Sequence, residues 1–192
     1  MRNTKHVLRI FTVPEYEKEA VWLTAMQRKG WQLKSVQGNM FYTFERTEPE
    51  DVIYRLDYNA EANKDIDSYR QIFADCGWTY VTGIDGFHYF RKSASAMQKN
   101  EAPDIFSDNE SRLDMCRRIW RGRMIPLLIL LCAIFIPNAV STYSELPSAE
   151  GFTLYGDIFI FCMSIIVIIV YAYIFIRFAV NWMRMTAGDD AR

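Results

Sequence analysis

Two long apolar runs, Met124–Val140 (MIPLLILLCAIFIPNAV) and Ile158–Val180 (IFIFCMSIIVIIVYAYIFIRFAV), are separated by the short acidic stretch Ser141–Asp157. Arg177 is the one charge inside either run. A helix needs roughly 20 mostly apolar residues to cross a bilayer, so this pair predicts a transmembrane helical hairpin. The competing reading is a buried core hairpin of a soluble protein, disfavoured because the second run is apolar on every face. We place the spans at 124–143 and 157–182, with an external loop 144–156 and a tail 183–192. Pro126 is expected in the first turn of its span, where a missing N–H costs little.

Flanking charge sets the orientation. Arg112, Arg117, Arg118, Arg121 and Arg123 precede the first run, the loop has no Lys or Arg, and Arg184 and Arg192 follow the second. Basic flanks stay on the cytoplasmic side, so a multi-pass protein of the inner (plasma) membrane with both termini cytoplasmic is expected. Trp120, Tyr143, Tyr155 and Trp182 fall where an aromatic interfacial belt would lie. Arg117, Arg118, Arg121 and Arg123, with Trp120 and Trp182, are therefore read as topology and anchoring residues facing lipid headgroups. His6–Phe11 is too short, and too interrupted by Arg9, for a secretory signal.

The net charge of −1 and the absence of a basic stripe in residues 1–92 argue against direct nucleic-acid binding. Cys76, Cys116, Cys132 and Cys162 form no CxxC, and only His6 and His88 accompany them, so they are read as small packing residues rather than a disulfide or metal framework. No metal and no cofactor is expected.

The polar half of the chain repeats. Lys5–Phe11 reads as a strand and Pro14–Lys29 as a helix with Val21, Trp22, Ala25 and Met26 on one stripe, closed by Gly30. Strands at Trp31–Gln37 and Met40–Arg46 flank a Gly38-Asn39 turn. The order then recurs: a strand at Val52–Tyr58, a helix at Ala60–Cys76 with Ile66, Tyr69, Ile72 and Phe73 on one face, and strands at Trp78–Thr82 and Phe87–Lys92 around a Gly83–Gly86 turn. Leu8-Arg9-Ile10 aligns with Tyr54-Arg55-Leu56, and Gly30-Trp31 with Gly77-Trp78. One strand–helix–strand–strand unit cannot bury both its helix stripe and its sheet face. Two must share a core, giving an α+β cytoplasmic domain over 1–92: an antiparallel-rich sheet with two helices on one face. A polar linker, 93–107, and an Arg-rich juxtamembrane helix, 108–123, opened by a Ser107-x-x-Glu110 capping box, lead into the spans.

The repeat over residues 5–92 resembles in topology the paired modules of GyrI-like ligand-binding domains; a ferredoxin-like sandwich is the competing arrangement. Lys5–Phe11, Lys29-Gly30-Trp31-Gln32-Leu33, Tyr42-Thr43-Phe44-Glu45, Gly77-Trp78 and Glu101–Ser111 with Ile105–Asp108 resemble domain-of-unknown-function family 2812, known from Gram-positive bacteria. That resemblance covers about residues 1–115. It implies a regulatory or stress-response setting beside PadR-like regulators, and it transfers no catalytic residue.

No hydrolase elbow, phosphate loop or dinucleotide fingerprint is present, and His88 lacks an obvious nucleophile, so a non-enzymatic role is expected. The aromatic strands carry the remaining signal. Tyr42, Phe44, Tyr54, Trp78, Tyr80 and Tyr89, with the interleaved acids Glu45 and Asp57, suit either a pocket for a lipophilic cation or ordinary cross-strand packing. Two functions follow. One is a membrane-anchored sensor or adaptor whose partner is a PadR-like regulator or another membrane protein, with homo-oligomerisation open. The other is a binding module for lipophilic or cationic small molecules such as membrane-active antibiotics. A pocket of roughly 300–1,000 Å³ lined by these aromatics would favour the second; a filled core with an exposed apolar patch would favour the first.

Overall fold

The computed structural model describes residues 3–96, 109–145 and 152–187. The Ser107 cap, the Ile105–Asp108 motif, most of the linker and residues 146–151 of the external loop lie outside these residues. The chain forms two compact units, Met1–Arg118 and Ile119–Arg192.

In the first unit the order is β1 (Thr4–Leu8), α1 (Tyr16–Arg28), β2 (Trp31–Gln37), β3 (Phe41–Arg46), β4 (Val52–Tyr58), α2 (Ile66–Asp75), β5 (Thr79–Ile84), β6 (Phe87–Ser93) and α3 (Asn109–Ile119). Two antiparallel three-stranded sheets result, ordered β1-β3-β2 and β4-β6-β5. The α+β fold and its tandem strand–helix–strand–strand plan are as the sequence predicts, but the halves form two ladders rather than one sheet. The first strand of each hairpin, β2 and β5, carries a register shift at the same place, Leu33/Ser35 and Tyr80/Thr82.

Pairing register corrects the alignment of the repeat. Val7 lies opposite Tyr42 and Asp57 opposite His88. Tyr42 and His88 in turn lie opposite Val36 and Gly83. Val7 is thus the counterpart of Asp57, and the Leu8–Tyr54 match was a coincidence of pattern, because β1 ends at Leu8. The Gly83–Gly86 turn is also shorter than expected. Gly83 stays in β5, and Asp85 (φ 51°) and Gly86 (φ 83°) alone make the turn, matching Gly38 (φ 55°) and Asn39 (φ 56°) in the first copy. Positive φ at both central residues is the type I′ geometry that fits strand twist. The two tips join through Asn39 Nδ2 donating to Asp85 Oδ2 at 2.8 Å.

The helices do not share one sheet face. Trp22 of α1 packs edge-on against Tyr42 (4.8 Å) and Phe44 (5.6 Å) of the first sheet. The other side of α1 meets the second sheet: Thr24 Oγ1 accepts the Tyr54 N–H at 3.0 Å, and Tyr89 reaches Glu19. Phe90, on the opposite face of β6 from Tyr89, packs on Phe73 of α2 at 4.2 Å. The run Phe87-His88-Tyr89-Phe90 is buried on both strand faces, so β6 needs a helix on each side. Accordingly Ala20, Leu23 and Met26 are buried in α1, whereas Val21 and Ile72, expected on apolar stripes, are exposed.

In the second unit, a π-helical turn Trp120–Met124 leads into α4 (Ile125–Leu130), a second π turn Leu131–Phe135 into α5 (Ile136–Glu145), and α6 spans Phe152–Ala187. Pro126 lies in the first turn of α4, as expected. Each π turn immediately precedes a proline-bearing stretch, Ile125-Pro126 and Ile136-Pro137, and closes on the residue before the proline, Ile125 donating to the Trp120 carbonyl and Ile136 to that of Leu131. Glu110–Glu145 and Leu154–Met183 are long and apolar enough to cross a membrane. Phe135–Tyr171 and Tyr143–Phe161 ring contacts, each 5.9 Å, pair the two as a hairpin.

Candidate functional site

The eight residues proposed as a pocket do not converge. Strand alternation sends Tyr42 and Phe44 inward and turns Glu45 out, where it pairs with Lys34 on the surface. Tyr54 is fully buried; its hydroxyl donates to Gln27 Oε1 at 3.0 Å and accepts the Leu33 N–H. Trp78 sits in the core of the second repeat with Ala62, Tyr69 and Phe90. Tyr80 is half-buried beneath the Arg70 guanidinium, 4.2 Å above its ring. Most of these aromatics are packed core.

Tyr42 and Tyr89 do meet, on a residue the sequence reading missed. Both hydroxyls donate to Glu19 Oε1 at 2.6 Å. Glu19 is only 7% exposed, and no ion pair reaches it among the described residues. Burial holds its carboxyl above the usual carboxylate range, against the two phenol bonds that favour the ionised form. Burial first, and then the same acid, push the Tyr42 and Tyr89 hydroxyls upward in turn. A carboxylate on the buried side of α1, in register with Leu23 and Met26, was the available sequence signal. It went unused because Glu19 stands in the Glu15–Glu19 run, which reads as a solvated first turn.

Next to this group is an aromatic wall carrying a cation. Phe11, Trp22 and Tyr42 contact one another at 5.6, 6.3 and 4.8 Å between ring centres. The Arg9 guanidinium stands 4.9 Å from both the Phe11 and Trp22 rings.

Asp57 belongs to a different centre. Buried on the α2 side of β4, it accepts the Tyr69 hydroxyl at 2.7 Å and Arg118 Nη2 at 2.9 Å. Arg118 Nε also donates to the Tyr58 carbonyl at 2.8 Å. Arg118, read as a headgroup-facing topology residue, is instead the bond that ties α3 to the α+β body. Met115 and Cys116 are buried along the same helix, and burial raises the Cys116 thiol to about 11. Cys76, Cys132 and Cys162 are exposed and do not pack as expected.

His88, cross-strand from Asp57, places Nε2 3.1 Å from the Asn59 carbonyl, leaving a buried Nδ1 with no hydrogen-bond partner among the described residues. Its pKa is lowered, chiefly by burial. A Cβ on Gly83 would stand 2.8 Å from that nitrogen, so the ring packs directly over the glycine.

Of the remaining anchoring residues, Arg117 pairs with Asp114 at 2.6 Å. Trp120 and Trp182 flank Phe178 in the second unit, around an apolar recess of about 330 Å³. Arg121 and Arg123 lie in the π turn beside Trp120.

These features define a class: a tandem α+β body in one chain with two helices long and apolar enough to span a membrane. The chain belongs to the family described as Protein of unknown function (DUF2812), whose profile matches residues 15–130. No curated protein and no solved structure matches it.

Proposed function

We propose that the protein is a non-enzymatic, membrane-anchored sensor or adaptor whose α+β body docks an extended apolar segment of a regulator or of another membrane protein. The observation that carries this reading is the open edge strand β1. Its outer edge has no paired strand among the described residues, and Leu8, Ile10 and the cross-strand partner Phe41 are 64%, 68% and 55% exposed. Unpaired edge groups beside exposed apolar side chains are the features a partner strand adds to. The core behind this edge is filled, as a docking surface requires. The charge pattern supports a plasma-membrane location with both termini cytoplasmic, and a tether at the bilayer raises the effective concentration for membrane-bound partners. PadR-like regulators are the soluble partner class we favour.

The test is photo-crosslinking in cells with benzoylphenylalanine at Leu8 or Phe41, with Ile72 on α2 as the exposed control. Adducts from the β1 edge alone, lost when Leu8 and Ile10 become lysine, support docking, and their mass separates a partner from a second copy. Equal adducts from Ile72 would overturn it.

A second reading, binding of organic cations, is favoured by one observation: the buried carboxylate of Glu19, which has no basic partner among the described residues and stands behind an aromatic wall.

A further inference from the structure

We propose that Phe11, Trp22 and Tyr42, backed by Glu19, form a site for a planar organic cation, and that the chain's own Arg9 occupies it in the state described. The inference rests on the cation-binding reading and adds the device that regulates it. Arg9 follows β1, where its amide donates to the Met40 carbonyl at 2.9 Å and fixes the backbone. Its side chain is free to turn, since the residue is exposed and no carboxylate pairs with it among the described residues. The guanidinium lies instead on two rings, 4.9 Å from each.

A guanidinium is flat, delocalised and weakly hydrated, and the face of an aromatic ring attracts such a charge. The wall therefore already demonstrates its ligand class on a group the chain supplies. Tyr42 links wall to acid: its ring meets Trp22 at 4.8 Å while its hydroxyl donates to Glu19 at 2.6 Å. The positive charge of Arg9 also reaches the Tyr42 hydroxyl. An incoming aryl amidinium or guanidinium must displace Arg9, and it takes up the same two rings, with Tyr42 and its bonded Glu19 behind them. The tethered Arg9 thereby sets a threshold, because the competent state is only the fraction in which it has swung away.

The experiment uses the full-length chain in detergent micelles. Benzamidine is the probe and benzamide its neutral isostere. The readout is the indole N–H resonance of Trp22, assigned by its loss in Trp22→Phe. Benzamidine should shift it saturably, and benzamide should not. Arg9→Gln should tighten binding roughly 5- to 30-fold, the worth of two exposed cation–π contacts. Arg9→Lys, which keeps a cation but loses the flat guanidinium, should fall between wild type and Arg9→Gln, and Glu19→Gln should weaken binding in either background. Equal affinity of wild type and Arg9→Gln, with Glu19→Gln still weaker, overturns the occupancy of Arg9 and leaves the cation reading standing. No response in wild type or Arg9→Gln removes both.

Discussion

Replacing Arg118 by alanine should loosen the juxtamembrane helix from the α+β body. Arg118 donates to Asp57 at 2.9 Å and to the Tyr58 carbonyl at 2.8 Å. The Asp57 side chain is 4% exposed and that of Arg118 44%. Breaking a fully buried pair costs about 3–5 kcal/mol and losing an exposed one under about 1 kcal/mol. This pair is buried at one end only, and Asp57 keeps its bond from Tyr69. Arg118→Ala should therefore cost about 2–3 kcal/mol. Asp57→Asn, which keeps an acceptor for Tyr69 and leaves Arg118 access to water, should cost about 1 kcal/mol. The double variant should cost little more than Arg118→Ala alone, a coupling of about 1 kcal/mol. Thermal unfolding of the full-length chain in micelles, followed by near-UV circular dichroism, should show Arg118→Ala lowered by about 10 °C, at about 4 °C per kcal/mol for a unit of this size. Amide exchange over 113–118 should accelerate in parallel. Additive single-variant losses, or unchanged exchange in α3, would refute the reasoning.

Glu19 gives a pH signature of defined sign. Its folded pKa is raised, so its contribution to stability is complete below the ordinary carboxylate value of 4.5 and is lost as pH rises through the raised value. Glu19→Gln should flatten that fall and exceed wild type by about 1–2 kcal/mol at pH 8, read from unfolding midpoints across the pH range. Glu15 has the opposite sign: bonded by Lys18 and by Thr12 in the helix-start capping box, it is lowered to about 2, so its stability is present above 4.5 and lost as pH falls towards 2. Thr12→Ala should cost about 1 kcal/mol and raise the pH at which acid unfolding begins. Gly83→Ala would set a Cβ 2.6 Å from the Tyr80 hydroxyl and 2.8 Å from His88 Nδ1, and should lower stability by about 1–3 kcal/mol in the same assay. Ile72→Lys, at a 63% exposed position, should stay within about 0.5 kcal/mol of wild type.

What could be read from the sequence was what local chemistry dictates. Gly30 and Gly77 closed the helices because both hold positive φ (77° and 78°), and Gly38-Asn39 turned the first hairpin for the same reason. The apolar runs announced the C-terminal helices through length and composition alone. Non-local contacts were not legible. Val21 fits a helical stripe as well as Leu23 does, and only the sheet on the other side of α1 decides which is buried; Ile72 of α2 is exposed likewise, while Phe73 beside it packs on Phe90. Glu45 and Asp57 were equal candidates in sequence, yet one residue of alternation puts Glu45 in water beside Lys34. Arg118 sat in a run of arginines that topology explains, and its bond spans 61 residues of chain.

The two copies of the repeat have kept their packing and exchanged their polar groups, and that exchange argues for specific roles. Trp22 over Tyr42 and Phe44 corresponds to Tyr69 over His88 and Phe90, with closest ring distances of 4.8 and 4.9 Å. The helix stripe on its own sheet is thus a shared solution to burial. The acids are not shared. Asp57 replaces the counterpart valine, Val7, and Glu19 stands where α2, counted back from its closing glycine, has Ile66. Each acid is therefore dispensable for building one unit, since the sister unit folds with an aliphatic side chain at the same place. Buried ionisable groups are seldom retained for stability, because apolar replacements of similar volume are often neutral or better. Asp57 has its reason in Arg118. Among the described residues Glu19 meets no cation, its bonds coming from two phenols, so of the two acids it is the one that no ion pair explains.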